Sequence, residues 1–215
     1  MKLPWRSRVA AEPIEEAPPE PPGPTTEIYA SPGLEEALRT VREGDACKVL
    51  DLGPSMAANV DFVSKFASYL QIVDAIDRTP VGTSGTDRLS TVSTLVEKHR
   101  RSFHLVLAWD VINYLTTDQA ERLVASLAEL CLPNARLHAV FFAKDTMPAI
   151  PNRYRIVNEA RLAYEAVTSE LRGAPELPPA TVAKLLKSFQ VEHSFVLQHG
   201  VHEYVARRKR WYPKK

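Results

Sequence analysis

An α/β fold is what the sequence predicts: a mainly parallel sheet, covered by helices on both faces and ending in an antiparallel β-hairpin. Three observations carry that expectation. Short apolar runs recur at residues 48–52, 70–76, 103–109 and 136–143. Segments of helical period lie between them, and strands alternating with amphipathic helices imply right-handed crossovers. Finally, the strand-like runs 189–197 and 201–208 are separated by only a few residues around His199-Gly200, too short a link for anything but a hairpin.

Residues 1–27 form a proline-rich arm, with Pro13, Pro18, Pro19, Pro21, Pro22 and Pro24 among acids and alanines, and nothing in it offers a face to bury. A disordered tether is expected there, ahead of a domain at residues 28–208. Ser31 can cap and Pro32 can open a helix bearing Leu34, Leu38 and Val41, stopped at Gly44. Strand 48–52 then leads through Gly53 into a helix at about 56–68 with Met56, Val60, Val63 and Phe66 on one face. Strand 70–76 follows, and Asp87 can cap a helix carrying Leu89, Val92, Leu95 and Val96. Strand 103–109, a helix at 117–130 and strand 136–143 complete the alternating part. The near-continuous apolar character of strands 103–109 and 137–143 suits the middle of a sheet. Beyond Lys144 a polar loop runs to Asn152. Helical material is expected at about 156–172, breaks at Gly173, Pro175, Pro178 and Pro179, and a helix at 181–188 before the hairpin.

With 215 residues and 45% apolar content the chain can bury one good core, and its formal charge of +1 gives no global reason for nucleic-acid or membrane binding. Cys47 and Cys131 are isolated from each other and from any metal-spaced cluster, which suits a reducing compartment. No apolar run approaches the ~20 residues of a membrane span. The start, Met-Lys-Leu-Pro-Trp-Arg-Ser-Arg, lacks the apolar core of a secretory signal, so a cytoplasmic protein is expected. Residues 209–215 close a basic tail (Arg207-Arg-Lys-Arg210-Trp-Tyr-Pro-Lys-Lys215). It suits phosphate backbones or anionic surfaces, although solvated terminal cations are the plainer reading.

The chemistry concentrates at the ends of the first strands. Gly53 allows close approach to a ligand after the acid Asp51, and the following helix offers unpaired N–H groups. Asp77 ends the next strand. Val49-Leu50-Asp51-Leu52-Gly53, Val73-Asp74-Ala75-Ile76-Asp77 and Phe103-His104-Leu105-Val106-Leu107-Ala108-Trp109-Asp110 resemble the first, second and fourth motifs of class I S-adenosylmethionine-dependent methyltransferases. The closing segment Phe195–Leu197 with Gly200–Val205 is similar to their final hairpin, and the resemblance spans roughly residues 34–208.

That resemblance implies the three-layer, Rossmann-like methyltransferase fold and S-adenosyl-L-methionine as cofactor. It implies that Asp51 faces the methionine ammonium, that Gly53, Pro54 and Ser55 line the adenosyl moiety, and that Asp77, with Arg78 beside it, takes the ribose hydroxyls. Trp109 packs against cofactor or core, and Asp110 lies beside the transferable methyl, in the catalytic position. A carboxylate complements an ammonium and can accept from two vicinal hydroxyls, and the ends of parallel strands are where open sheets bind ligands. Asn113, Tyr154 and Arg155 are candidates for contact with the acceptor, Tyr154 and Arg155 as a lid. Two of these readings have a structural alternative: Asp110 as the cap of the turn 111–115, and Tyr154 and Arg155 as anchors of a helix.

Ser55 and Ala57 stand where that family carries its second and third glycines, and Pro54 removes an amide donor. Both replacements are small, but neither adopts positive φ as readily as glycine. The strand expected after Asp77 has no clear counterpart in Pro80–Gly85. Methyl transfer to a small-molecule acceptor is the leading expectation, with protein or RNA acceptors behind it. The rival is a non-catalytic binding or scaffold protein on the same fold. A nicotinamide dehydrogenase comes third, because Ser55 and Ala58 occupy its glycine positions. His199 and His202, three apart in a hairpin, diverge too far for metal binding.

Overall fold

The computed structural model describes residues 26–39, 46–76, 89–198 and 200–210. Its centre is a six-stranded sheet. Four strands are parallel: β2 (Cys47–Asp51), β3 (Ala67–Ile72), β4 (Phe103–Trp109) and β5 (Cys131–Phe142). The chain closes with the antiparallel hairpin β10 (Phe189–Leu197) and β11 (Val201–Arg208), where β11 pairs with β5. The sheet order is β10-β11-β5-β4-β2-β3. In the turn between the hairpin strands Gly200 takes φ +79°, a left-handed conformation that favours glycine, and a side chain there would also push the exposed Lys144 chain aside.

Alternate residues of the strands feed two cores. Leu50, Val106, Ala108 and Leu137 face α3 (Leu89–His99), α4 (Thr117–Leu130) and α5 (Pro179–Leu185). Val49, Leu105, Leu107, Trp109 and Val140 face the opposite layer. That layer holds α1 (Pro32–Leu38), α2 (Ala57–Val63) and a second, antiparallel sheet of β1 (Thr26–Ala30), β8 (Arg161–Glu165) and β7 (Arg153–Asn158), in the order β1-β8-β7. A two-stranded ribbon, β6 (Thr146–Pro148) with β9 (Leu171–Gly173), completes the fold. Three layers with a mostly parallel sheet and a terminal hairpin are the expected class.

Helix 117–130 has the predicted bounds because Thr116 and Gln119 form a reciprocal cap at its start. Four expectations are corrected. Residues 153–165 form strands β7 and β8 instead of a helix, since each has a partner strand to pair with. The helix after Gly53 ends at Val63, and its buried side chains are Asn59 and Val63, with Val60 exposed. The next strand begins at Ala67 and ends at Ile72, earlier than 70–76. Thr26 and Glu27, placed in the arm, belong to β1. The arm's residues 1–25, the helix stop at Gly44, the region Pro80–Gly85 with Asp87, His199 and the tail from Trp211 lie outside the described residues.

Candidate functional site

The ends of β2 and β4 meet at a buried carboxylate. Asp51, 1% exposed, accepts through Oδ1 from the Gly53 amide at 2.8 Å and from the Trp109 indole Nε1 at 2.6 Å. Trp109 reaches it by breaking the β4–β5 register and turning to φ +48°, a left-handed conformation that costs a non-glycine residue about 1–2 kcal/mol. That turn lays the indole over Gly53, where an added Cβ would stand 2.8 Å from Trp109 Cδ1 and Nε1. Gly53 has an ordinary backbone conformation, so the ring's approach is what excludes a side chain there. Pro54 is half-buried and Ser55 exposed, forming the rim beside it.

The indole is covered by two further rings. Tyr154 of β7 stacks on it with centroids 5.4 Å apart and planes 4° from parallel, and His138 of β5 meets it edge-on at 6.1 Å. Asn59 of α2 holds β7 in place: its Nδ2 donates to Tyr154 O at 2.9 Å and its Oδ1 accepts from Ile156 N at 2.8 Å. Arg155, its neighbours Tyr154 and Ile156 both buried, lies on the other face of β7 and is half-buried. Of the two expected lid residues, only Tyr154 reaches the site.

Asp110 is fully buried, and its side chain does not cap the 3₁₀ turn Val111–Tyr114. Its Oδ2 instead accepts from the Asn152 amide at 3.2 Å and lies 3.4 Å from the Tyr154 hydroxyl. Burial, and next the Asp110 charge, push the Tyr154 phenol well above its usual range, so it stays a proton donor. Asn113 donates to Asp110 O and Val140 O and accepts from Phe142 N, so its amide stitches the turn to β5. Asp77 and Arg78 lie outside the described residues. The chain leading to them runs beside the site, with Val73 N on Asp51 O and Ala75 N on Leu52 O.

A second buried cluster adjoins the first and had no motif to announce it. Glu203 of β11 accepts from Ser31 Oγ at 2.6 Å and Gly33 N at 2.8 Å, with His138 Nε2 3.6 Å away, and all three side chains are sealed from solvent. Burial raises the Glu203 pKa, but His138, the Ser31 hydroxyl and the Gly33 amide together outweigh it and hold the carboxyl below its usual range. The only sequence signal was an acid within the hairpin strand, beside the apolar run Tyr204-Val205-Ala206.

The donor chemistry suits S-adenosylmethionine, because Asp51 is a buried carboxylate at a strand end and a cationic donor is its natural partner. The space does not suit it as the side chains stand. The indole N–H already holds the oxygen that an ammonium would need, and the ring fills the approach over Gly53.

No family model and no curated protein matches the sequence. Solved structures do match in fold. A methyltransferase of Methanosarcina mazei described as S-adenosylmethionine-dependent aligns with TM-score 0.50 at 14% identity, over 80% of this chain and 96% of its own. A 1,6-didemethyltoxoflavin-N1-methyltransferase of Burkholderia thailandensis, solved with 1,6-didemethyltoxoflavin and S-adenosylhomocysteine, gives 0.48 at 16% identity, over 83% and 77%. An S-adenosylmethionine-dependent methyltransferase of Mesorhizobium loti gives 0.48 at 14%, over 80% and 96%. With the sheet order, the terminal hairpin and the carboxylate at the end of β2 in place, this chain has the fold of the class I S-adenosylmethionine-dependent methyltransferases.

Proposed function

We propose that this protein is an S-adenosylmethionine-dependent methyltransferase acting on a small-molecule acceptor, and that Trp109 must leave Asp51 before the cofactor enters. The observation that carries the reading is the Trp109 Nε1–Asp51 Oδ1 bond: the indole N–H would serve as an internal stand-in for a cationic donor at a carboxylate that ends a parallel strand, the kind of edge where open sheets bind ligands. The enclosed setting of Asp110, covered by Tyr154 of β7, favours a small acceptor over a polymer, which could not thread under the second sheet. Asp77, Arg78, Pro54 and Ser55 would complete the cofactor edge. Asp110 and Tyr154 would orient the acceptor, since methyl transfer depends chiefly on alignment.

The same bond also favours a second reading, a non-catalytic binding protein in which Trp109 is permanent core. Calorimetry with S-adenosylmethionine and S-adenosylhomocysteine separates the two. Trp109→Phe keeps a ring against Tyr154 but loses the N–H. If the indole competes with the ligand, this variant binds about tenfold more tightly than the parent protein, as expected for losing a charge-assisted bond of about 1.5 kcal/mol, and Asp51→Ala abolishes binding. No heat and no rise in melting temperature, in the parent or in Trp109→Phe, would establish the second reading.

A further inference from the structure

The sheet edge opposite Asp51, where β4 and β5 begin and β11 ends, brings together two basic stretches that are remote in sequence, Lys98-His99-Arg100-Arg101 and Arg207-Arg208-Lys209-Arg210. Between them lies a groove of about 360 Å³ lined by Arg100, Arg101, Arg208 and Lys209, with Glu129 the one acid among the described lining residues. The end of α4 points into this region, and its negative pole would ordinarily repel an anion. Here three successive carbonyls at that end are capped: Ala128 O by Arg208 Nε at 2.7 Å, Glu129 O by Arg101 N at 2.9 Å, and Leu130 O by Ser102 N at 2.8 Å. Arg101 makes its bond from φ +51°, a conformation rarely adopted by a residue with a side chain. The Arg100–Glu129 pair is exposed, so a phosphate can replace the carboxylate at little cost.

Aromatic surface belongs to the same edge. Tyr69 of β3, 36% exposed, stacks on His99 with centroids 5.7 Å apart and planes at 29°, and Lys48 Nζ lies 5.8 Å from its ring. His99 directly precedes Arg100. Cations that follow a groove beside a stacking platform suit a phosphodiester chain with unpaired bases. A bilayer would instead want a flat face with apolar anchors, whereas the groove is concave and its described lining is chiefly cationic.

We propose that this groove binds single-stranded nucleic acid, its phosphates on Arg100, Arg101 and Lys209 with Arg210, and a base on the Tyr69–His99 pair. The site is independent of the methyltransferase reading and would survive its failure. Fluorescence anisotropy of the full chain with a labelled 12-nucleotide oligo(U) tests it. Binding is expected to weaken with salt at a log–log slope of about −2 to −3, as for three or four neutralised phosphates on a single strand. Arg100→Glu and Arg210→Glu, far apart in sequence, should each weaken binding about fivefold or more and flatten the slope by about one. Lys144→Glu, at the other edge of the sheet, should change neither. The proposal is overturned by salt-insensitive or absent binding, or by equal losses in all three variants. It is also overturned if Arg210→Glu alone matters, which leaves only a charged tail. Binding to vesicles of phosphatidylcholine and phosphatidylserine (3:1) without binding to the oligonucleotide would give the surface to membranes instead.

Discussion

Glu203 and Asp51 show how differently two buried acids can be held. Asp51 is satisfied by an indole and an amide from its own strand ends, whereas Glu203 reaches across layers to Ser31, Gly33 and His138 and so pins the start of α1 to the sheet. Gly33 is required by that contact, since a Cβ there would lie 2.8 Å from both Glu203 Cβ and Oε2. Burial works against the Glu203 charge, and its three partners overcome it, leaving the folded-state pKa below the ordinary one. The stabilisation is therefore complete above the usual carboxylate range and is lost as pH falls through the lower folded value. Glu203→Gln should cost about 2–3 kcal/mol at neutral pH, the worth of charge-assisted bonds at a buried site. Urea midpoints measured between about pH 7 and pH 3 should fall less steeply in the variant than in the parent. Parallel acid profiles would show that Glu203 does not carry this charge in the folded state.

At the scale of elements, the joint between α2 and β7 matters most, because it sets the height of the second sheet over Trp109. Asn59 makes it with both ends of one amide. Asn59→Ala leaves Tyr154 O and Ile156 N without that partner, at about 1–3 kcal/mol for each buried group left unmade. Hydrogen exchange should then speed up at the Ile156 amide while the amides of β2 and β4 keep their protection, and uniform loss of protection would mean that Asn59 supports the whole domain. The parallel strands were legible in the sequence because they are continuous apolar runs, and α4 because its cap and period agree. Strands β7 and β8 were not. Glu159-Ala160-Arg161-Leu162-Ala163 has helix-favouring composition, and what decides its state is remote: Asn59 on one side and β1 on the other. The local sign was Asn158, whose side chain accepts from Ala160 N and turns the chain between the strands. Val60 was misplaced for a related reason, since the buried position of α2 goes to a polar residue that serves a strand almost a hundred residues away.

Across the whole molecule, the fold gathers different chemistry at two opposite edges of one sheet. The carboxyl ends of β2 and β4 gather Asp51, Gly53, Trp109 and Asp110 under a roof supplied by β7, while the other edge gathers cations and Tyr69. The candidate carboxylate and glycine were visible in sequence as a strand end and a turn. Their partner was not, because the reach of the Trp109 indole depends on a backbone turn to φ +48° that no local pattern announces. The chain's tryptophans are Trp5, Trp109 and Trp211, so the indole N–H of Trp109 can be followed by nitrogen-15 NMR once Trp5→Phe and Trp211→Phe remove the other two signals. Titrating S-adenosylhomocysteine into that protein should move the resonance from a buried, hydrogen-bonded position toward that of a solvated indole, in step with saturation. Saturable binding that leaves the resonance where it began would contradict the claim that ligand and indole compete for Asp51.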